Sequence, residues 1–376
     1  MTPGDHAGAL LSIDLDALVE NYRLIARQVA PAEVAGVVKA DAYGVGASAA
    51  ASALLQAGCR RFFVAQLEEA VALKPELPAP VQLFVLNGLQ PGAERLCRDA
   101  GATPVLNSLD QIRRWSNLAQ GSGRPLPAAL QIDSGMSRLG LSPNEVQALL
   151  ADRSLLDGIE LVLILSHLAC ADDPASAFND KQVATFDDFT RHFPGVPRSL
   201  DNSGGSFLDH AHYEVVRAGI ALYGGAPQDG FNPMHPVVSL EARIAQLRTV
   251  RPGTGVGYGL SHRAEETSHI ATIPVGYADG WPRHLSNRGS AFIGGIRVPM
   301  VGRVSMDSIT LDVTHVPDML LYPGAPVELL GPHQSIDDVA ADAGTISYEI
   351  LTQLGRRYRR EYRRAEAIEQ KRSMTA

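Results

Sequence analysis

Between residues 34 and 218 the chain alternates two patterns. Short runs that are apolar nearly throughout are separated by longer stretches with apolar side chains at three- and four-residue intervals. Eight runs stand out: Val34–Val38, Phe62–Ala65, Val81–Leu86, Thr103–Leu106, Ala128–Ile132, Leu161–Leu165, Arg198–Asp201 and Tyr213–Val216. Runs without polar alternation suit strands buried on both faces. The stretches between them are long enough for crossover helices. Pro91–Ala100 opens on Pro-Gly and closes at Gly101, and Asn144–Ala151 follows Ser142-Pro143; both carry helix start or stop signals. Upstream, Leu18, Tyr22, Ile25 and Val29 share one face of a helix predicted over Asp14–Val29, with Asp14 as its cap. Eight β-then-α units predict a (β/α)8 barrel. A doubly wound open sheet is the competing architecture, but no strand–GxGxxG–helix segment supports it.

Beyond about residue 230 the pattern becomes β-rich. Val238–Val250 and Ser268–Val275 read as long strands, and Ala291–Ile293, Arg297–Val301, Ile309–Val313 and Val327–Leu330 as shorter ones. Gly-Gly, Pro-Gly and Gly-Pro pairs between them mark hairpins and loops. One helix is predicted over Asp337–Leu354. The expected organisation is a TIM-like (β/α)8 barrel over residues 1–230 and a mainly antiparallel β domain over 231–376, α/β overall. The first ~12 residues are expected to pair with the second domain. The arginine-rich tail Arg356–Arg364 reads as a solvated or salt-bridged helix end.

Composition narrows the function classes. The chain has 376 residues, 45% apolar and 20% charged, which excludes a disordered chain. With 41 acidic against 33 basic side chains and a net charge of −8, neither nucleic acid nor an anionic membrane surface is an expected partner. No apolar run approaches the ~20 residues of a membrane span. The N-terminal residues lack the basic and apolar regions of a signal peptide, so the chain is read as cytoplasmic. Cys59, Cys97 and Cys170 are too scattered for a disulfide framework and read as free, buried thiols. No metal site is assigned.

In a barrel, chemistry belongs at the carboxyl ends of the strands. Polar residues stand immediately after six of the runs: Lys39, Asn87, Asp133, His167, the pair Asn202 and Ser203, and Arg217. Lys39 is the sharpest signal. A lysine at the end of a buried strand loses hydration, its pKa falls, and a neutral amine able to form a Schiff base becomes accessible. The competing reading is a lysine paired with Asp41. Tyr43 and the glycines at 44 and 46 place a hydroxyl and open backbone beside the amine, as a phosphate-bearing cofactor requires. Gly204-Gly205 and Gly224-Gly225 offer further backbone N–H groups.

The segment VVKADAYGVG resembles the pyridoxal-phosphate lysine signature of alanine racemases. DSGMSRLG, SHLACAD, VRAGIALYGG, GVGYG, PVGYADG, GRVSMD and ISYEI follow in the family's order, from about residue 10 to 364. The resemblance implies a pyridoxal 5'-phosphate enzyme that interconverts L- and D-alanine, and a head-to-tail homodimer with composite active sites. Lys39 would carry the cofactor and act as one acid–base group; Tyr258, from the partner chain, would be the other. His167 would pack against the cofactor ring and Arg217 would face its pyridine nitrogen. Tyr43, Ser203, Gly219, Ile220 and Tyr348 would bind the phosphate. Arg138 and the backbone of Met306 would hold the substrate carboxylate. Tyr277, with Asp172 and Arg303 outside it, would gate entry and favour a small side chain. The product would be D-alanine for peptidoglycan.

Three positions depart from the family's usual pattern. Gln131 stands where many members have a lysine, often carbamylated, that fixes the residue equivalent to Arg138; Val45 and Ser305 replace a common His and Cys. A broad-specificity or serine/lysine racemase on the same scaffold is the alternative reading. A decarboxylase with the same cofactor would want an acid, not Arg217, at the pyridine nitrogen.

Overall fold

The computed structural model describes residues 6–364. The chain forms two compact units. Among the described residues, one comprises Leu18–Leu222 with Ala226–Met234; the other takes residues 6–17, Tyr223–Gly225 and residues 235–364.

Strand β1 (Ala9–Asp14) leads into the helix Leu15–Gln28, whose first N–H groups, from Asp16 and Ala17, are capped by Asp14 Oδ1 at 3.0 and 2.9 Å. Leu18, Tyr22, Ile25 and Val29 are all buried, as their shared face requires. Eight parallel strands then form one sheet: β2 (Glu33–Val37), β3 (Arg61–Val64), β4 (Gln82–Val85), β5 (Thr103–Leu106), β6 (Leu126–Gln131), β7 (Ile159–Leu165), β8 (Arg198–Ser199) and β9 (Val215–Ala218). Their order is β8-β7-β6-β5-β4-β3-β2-β9, so first and last strands pair through Ala35↔Arg217 and Gly36↔Ala218. At the other edge, the Arg217 N–H donates to Asp201 O at 3.0 Å and brings β9 beside the chain leaving β8. The expected barrel is therefore observed. Most strand residues are buried, with Phe63 stacked on Phe84 at 4.7 Å between ring centroids; β7 is exposed or half-buried over its first four residues.

The second unit contains β1 and ten later strands: β10 (Val238–Arg243), β11 (Gln246–Val250), β12 (Gly255–Val256), β13 (His262–Arg263), β14 (Ser268–Ile273), β15 (Ser290–Ile293), β16 (Ile296–Pro299), β17 (Ile309–Asp312), β18 (Pro326–Leu330) and β19 (Arg359–Arg363). They build a six-stranded sheet, β16-β15-β18-β10-β1-β19, a three-stranded sheet, β11-β14-β17, and the hairpin β12-β13. All pairings are antiparallel except β1 with β19.

Four expectations need correction. The long strand over Val238–Val250 is two strands in two sheets. The break falls where Ile244 N–H donates to Ala325 O and Ala245 N–H to Thr272 O, at 3.0 and 2.8 Å. The helix over Asp337–Leu354 is two helices, Ile336–Ala343 and Ser347–Gln353, because Gly344 turns left-handed (φ 71°) and ends the first. The arginine-rich tail carries strand β19 rather than a helix end, and Arg363 Nη2 donates to Ser12 Oγ at 3.0 Å. Cys59 and Cys97 are free and buried, but Cys170 is only half-buried. Among the described residues no helix is long and apolar enough to cross a membrane.

Candidate active site

Lys39 follows β2 and opens a turn of unusual hand. Ala40, Asp41, Ala42 and Tyr43 have φ of 54°, 54°, 53° and 56°. In that region the β-carbon crowds the following carbonyl, at about 1–2 kcal/mol per residue. Hydrogen bonds over-determine the turn: Gly44 N–H to Ala40 O and Gly46 N–H to Asp41 O, both 2.8 Å, and Ala47 N–H to Asp41 Oδ1, also 2.8 Å. Glu69 adds a clamp. Its Oε1 accepts from Ala40 N–H at 2.5 Å, while Oε2 accepts from Ala65 and Gln66 N–H at 2.8 and 2.9 Å. One carboxylate thus ties the backbone beside Lys39 to the loop after β3.

Burial holds the Lys39 amine below the usual lysine pKa; the positive charges of Arg138 and Arg217 act in the same sense, and Glu69 opposes them. Glu69→Gln would present an amide N–H2 to backbone donors. We expect kcat/KM to fall by roughly 10- to 100-fold, the scale at which a misplaced reacting group is felt. Steady-state kinetics at saturating cofactor test this; a change under twofold would remove Glu69 from the positioning of Lys39.

Arg217 is buried on β9. Its Nη1 donates to Ser199 O and Oγ at 2.9 and 2.6 Å, and its Nη2 to Ser166 O at 2.6 Å and Leu200 O at 3.3 Å. Among the described residues it makes no ion pair. Burial pushes its pKa down to about 10, with Asp201 opposing, so the guanidinium is still charged at neutral pH. Nη2 also lies 3.3 Å from His167 Nδ1, which must accept. His167 is accordingly neutral: burial first, then the charges of Arg217, Arg138 and Lys39, hold it well below the ordinary histidine value. Ser203 Oγ accepts from Gly219 N–H at 2.9 Å and Ala221 N–H at 3.3 Å. The Tyr43 hydroxyl stands where a β-carbon on Gly219 would go. Lys39, Tyr43, His167, Ser203, Arg217, Gly219 and Ile220 thus cluster at the carboxyl ends of β2, β7, β8 and β9.

Arg138 is exposed, on a loop closed at its base by Leu141 N–H to Gln131 O and Asp133 N–H to Leu141 O, at 2.9 and 3.1 Å. Asp133 Oδ1 accepts from Gly135 and Ser137 N–H at 2.9 and 3.0 Å. Gln131 Nε2 donates to Leu139 O at 3.3 Å, so Gln131 braces the backbone next to Arg138. Asp172 is exposed on the loop after β7, with its carbonyl accepting from Asp229 N–H at 2.9 Å.

The β unit groups its own candidates. Tyr258, 70% exposed, stands between Gly257 and Gly259, both at positive φ, and borders with Arg303 and Ser305 a cavity of ≈ 530 Å3. Tyr277 N–H donates to Ser305 O and Ala278 N–H to Met306 O, both at 3.0 Å, which stitches the Tyr277 and Met306 segments together. Gly276 permits this approach, since a β-carbon there would run into the carbonyls of Ser305 and Met306. Buried Asp279 anchors the pair: its Oδ2 accepts from Gly276 N–H at 2.8 Å, and its two oxygens accept from Arg357 at 2.6 and 2.8 Å. Arg357 also bonds Asp307 at 2.6 Å. Asp279→Ala would strip Gly276 N–H of its buried acceptor. We expect a loss of about 1–3 kcal/mol, read as a lower denaturation midpoint at unchanged slope; a loss below ~0.5 kcal/mol would show the anchor to be dispensable. Tyr348 lies exposed on the helix Ser347–Gln353, which belongs to this unit.

Glu69 and Asp279 are absent from the sequence reading. Each is one acid among 41, and nothing local shows that it accepts from backbone N–H groups elsewhere in the chain.

Comparisons with known proteins agree with this arrangement. The family model described as alanine racemase, N-terminal domain, matches residues 13–227, and that for the C-terminal domain matches 237–362. A protein of Agrobacterium fabrum named "Alanine racemase, catabolic" is 53% identical over 358 residues, 95% of this chain and 92% of its own. The "Alanine racemase" of Brucella abortus is 52% identical over 371 residues, covering 95% and 94%. Among solved structures, alanine racemase from Bartonella henselae with covalently bound pyridoxal phosphate superimposes with a TM-score of 0.92 at 45% identity, covering 95% of this chain and 100% of that one. The biosynthetic alanine racemase of Pseudomonas aeruginosa gives 0.88 at 34%, with coverages of 95% and 100%. With both domain models matched in order and relatives more than half identical over 95% of its length, the chain belongs to the alanine racemase family.

Proposed function

We propose that this chain interconverts L- and D-alanine with pyridoxal 5'-phosphate by a two-base mechanism, as a cytoplasmic homodimer. The observation that carries the reading is Lys39, an amine of depressed basicity on a strained turn, together with buried Arg217 and its half-buried partner His167. The residues fit the cofactor: the missing side chain of Gly219 leaves room for the Tyr43 hydroxyl beside Ser203, a cradle of the kind that takes a phosphate. Lys39 would hold the aldehyde carbon, and Tyr43, Ser203, Gly219, Ile220 and Tyr348 the phosphate. When bound, the cofactor supplies a conjugated electron sink that acidifies the substrate α-carbon.

The chain's own groups do the rest. Arg138 and the Met306 N–H hold the substrate carboxylate. Lys39 moves the α-proton on the D side. Tyr258, supplied by a second copy of the chain, moves it on the L side, which returns the proton to the opposite face and inverts the centre. His167, neutral, can pack on the cofactor ring and hydrogen-bond Tyr258. Arg217 stays protonated, so it would disfavour protonation of the ring nitrogen and limit side reactions. Tyr277, Asp172 and Arg303 narrow the entry to favour a small side chain.

The proposed use of the product is D-alanine supply for peptidoglycan. The Agrobacterium fabrum relative named catabolic favours a second reading, consumption of D-alanine. The chemistry is tested by incubating the protein and cofactor in heavy water with L-alanine, L-serine, L-lysine and L-glutamate separately, following α-proton exchange by NMR and enantiomers by chiral chromatography. Exchange dominated by alanine is expected. Comparable rates on serine or lysine would overturn the substrate, and no exchange at all would overturn the reaction.

A further inference from the structure

Beyond β8 the chain carries a cluster that the racemase reading leaves unused. Asp201 is 1% exposed, and both its carboxylate oxygens face imidazoles: Oδ1 lies 3.0 Å from His210 Nε2, and Oδ2 lies 2.6 Å from His212 Nδ1. One donor atom from each residue lies within 4.8 Å of the other two. The two rings meet edge to face, with centroids 5.3 Å apart, and keep 19% and 11% of their side-chain surface open. His210 and His212 are two positions apart on a loop without regular structure, so both can turn toward one point without a helix to frame them.

We propose that Asp201, His210 and His212 form a binding site for one divalent transition-metal ion of the zinc class. Two imidazole nitrogens and one carboxylate oxygen are the donor set that such ions prefer, whereas magnesium and calcium prefer oxygen alone. At metal–ligand bonds of about 2.0–2.2 Å, neighbouring donors stand roughly 3 Å apart; the two histidine–carboxylate separations, 3.0 and 2.6 Å, are close to that, and all three donors lie within 4.8 Å of one another, a span that a small turn of either ring closes. Asp180 and Asp209 add negative charge around His210.

The proton balance closes. A neutral imidazole that turns ligand shifts its proton to the outward ring nitrogen, and a protonated one releases a proton to solvent. The ion would replace two hydrogen bonds by three stronger bonds and fasten the loop 209–212 to Asp201. Asp201 adjoins Asn202 and Ser203, and its carbonyl accepts from Arg217 N–H, so the fastened segment is the one that carries the Ser203 hydroxyl. The ion's role is structural, not catalytic.

The test uses the cofactor-loaded protein after chelation and dialysis. Cobalt(II) is titrated by visible absorbance, zinc is added to displace it, and melting temperature is read with and without zinc. The expected result is one cobalt per chain with ligand-field bands, loss of those bands on adding zinc, and a higher melting temperature. His210→Gln and His212→Gln singly should each weaken binding by about tenfold or more, while metal-free turnover stays within twofold of the parent. The absence of cobalt bands and of a zinc-dependent melting shift would overturn the proposal. So would unchanged binding in both single variants, which would put the ion elsewhere. In that case the triad is a hydrogen-bonded latch only.

Discussion

Lys39→Ala is expected to abolish racemisation in both directions, by at least ~10⁴-fold, and to remove the visible absorbance of covalently held cofactor. The size follows from the two roles that meet in one amine. It is the only nucleophile the reading offers to the aldehyde, and it is also the proton carrier on the D side. The surrounding charges sharpen the effect. Burial first, then the charges of Arg138 and Arg217, disfavour a charged amine at this position and raise the neutral share above that of an ordinary lysine. Alanine at 39 removes the amine but leaves the clamp from Glu69 to Ala40 N–H in place. A folded protein that binds cofactor weakly and does not turn over is therefore the expected product. Added methylamine should restore part of the activity. A variant that retained racemisation above about one per cent of the parent rate, a loss short of 10²-fold, would remove Lys39 from both roles.

Tyr258→Phe is expected to leave cofactor binding intact and to cut turnover by roughly 10²–10⁴-fold, the range of a lost acid–base group. The change removes one hydroxyl from a side chain that is 70% exposed in this chain, so the fold should be indifferent to it. The two variants also test assembly. Chains carrying Lys39→Ala have an intact Tyr258, and chains carrying Tyr258→Phe have an intact Lys39. If sites are shared between copies, verified mixed dimers should recover activity, up to about half the sites being complete in each dimer. No recovery would confine each site to one chain.

Much of the barrel was legible because strands buried on both faces leave continuous apolar runs, and Thr103–Leu106 coincides with β5 to the residue. The candidate site was legible where a polar residue stands at or just past the end of such a run: Lys39 and His167 lie beyond β2 and β7, whereas Arg217, expected after its strand, lies within β9. The errors have local causes. Val238–Val250 is apolar enough to read as one strand, yet its midpoint donates to two different partners, Ala325 and Thr272, which only the tertiary pairing reveals. The Arg-rich tail looked helical because charge pattern says nothing about backbone, and β19 forms only because β1 is there to pair with it. Four consecutive non-glycine residues at positive φ had no sequence signal, since alanine and aspartate prefer the right-handed region.

The pairing of β1 with β10 and β19 fixes an order of events during synthesis. β1 leaves the ribosome first, but its antiparallel neighbour lies more than two hundred residues downstream, and its parallel neighbour, with Leu10 opposite Arg359, comes at almost the far end of the chain. The eight barrel strands are complete at Ala218, before β10 begins at Val238 and well before β19 begins at Arg359. The barrel can therefore close co-translationally while β1 waits as an unpaired strand, a template for any passing edge and a natural client for a chaperone. Its last neighbour arrives only when Arg359–Arg363 is released, so a stop codon between β18 and Arg359 would leave a closed barrel and a first strand paired with β10 but open along its other edge. Aggregation, more than loss of chemistry, would be the phenotype of such a truncation.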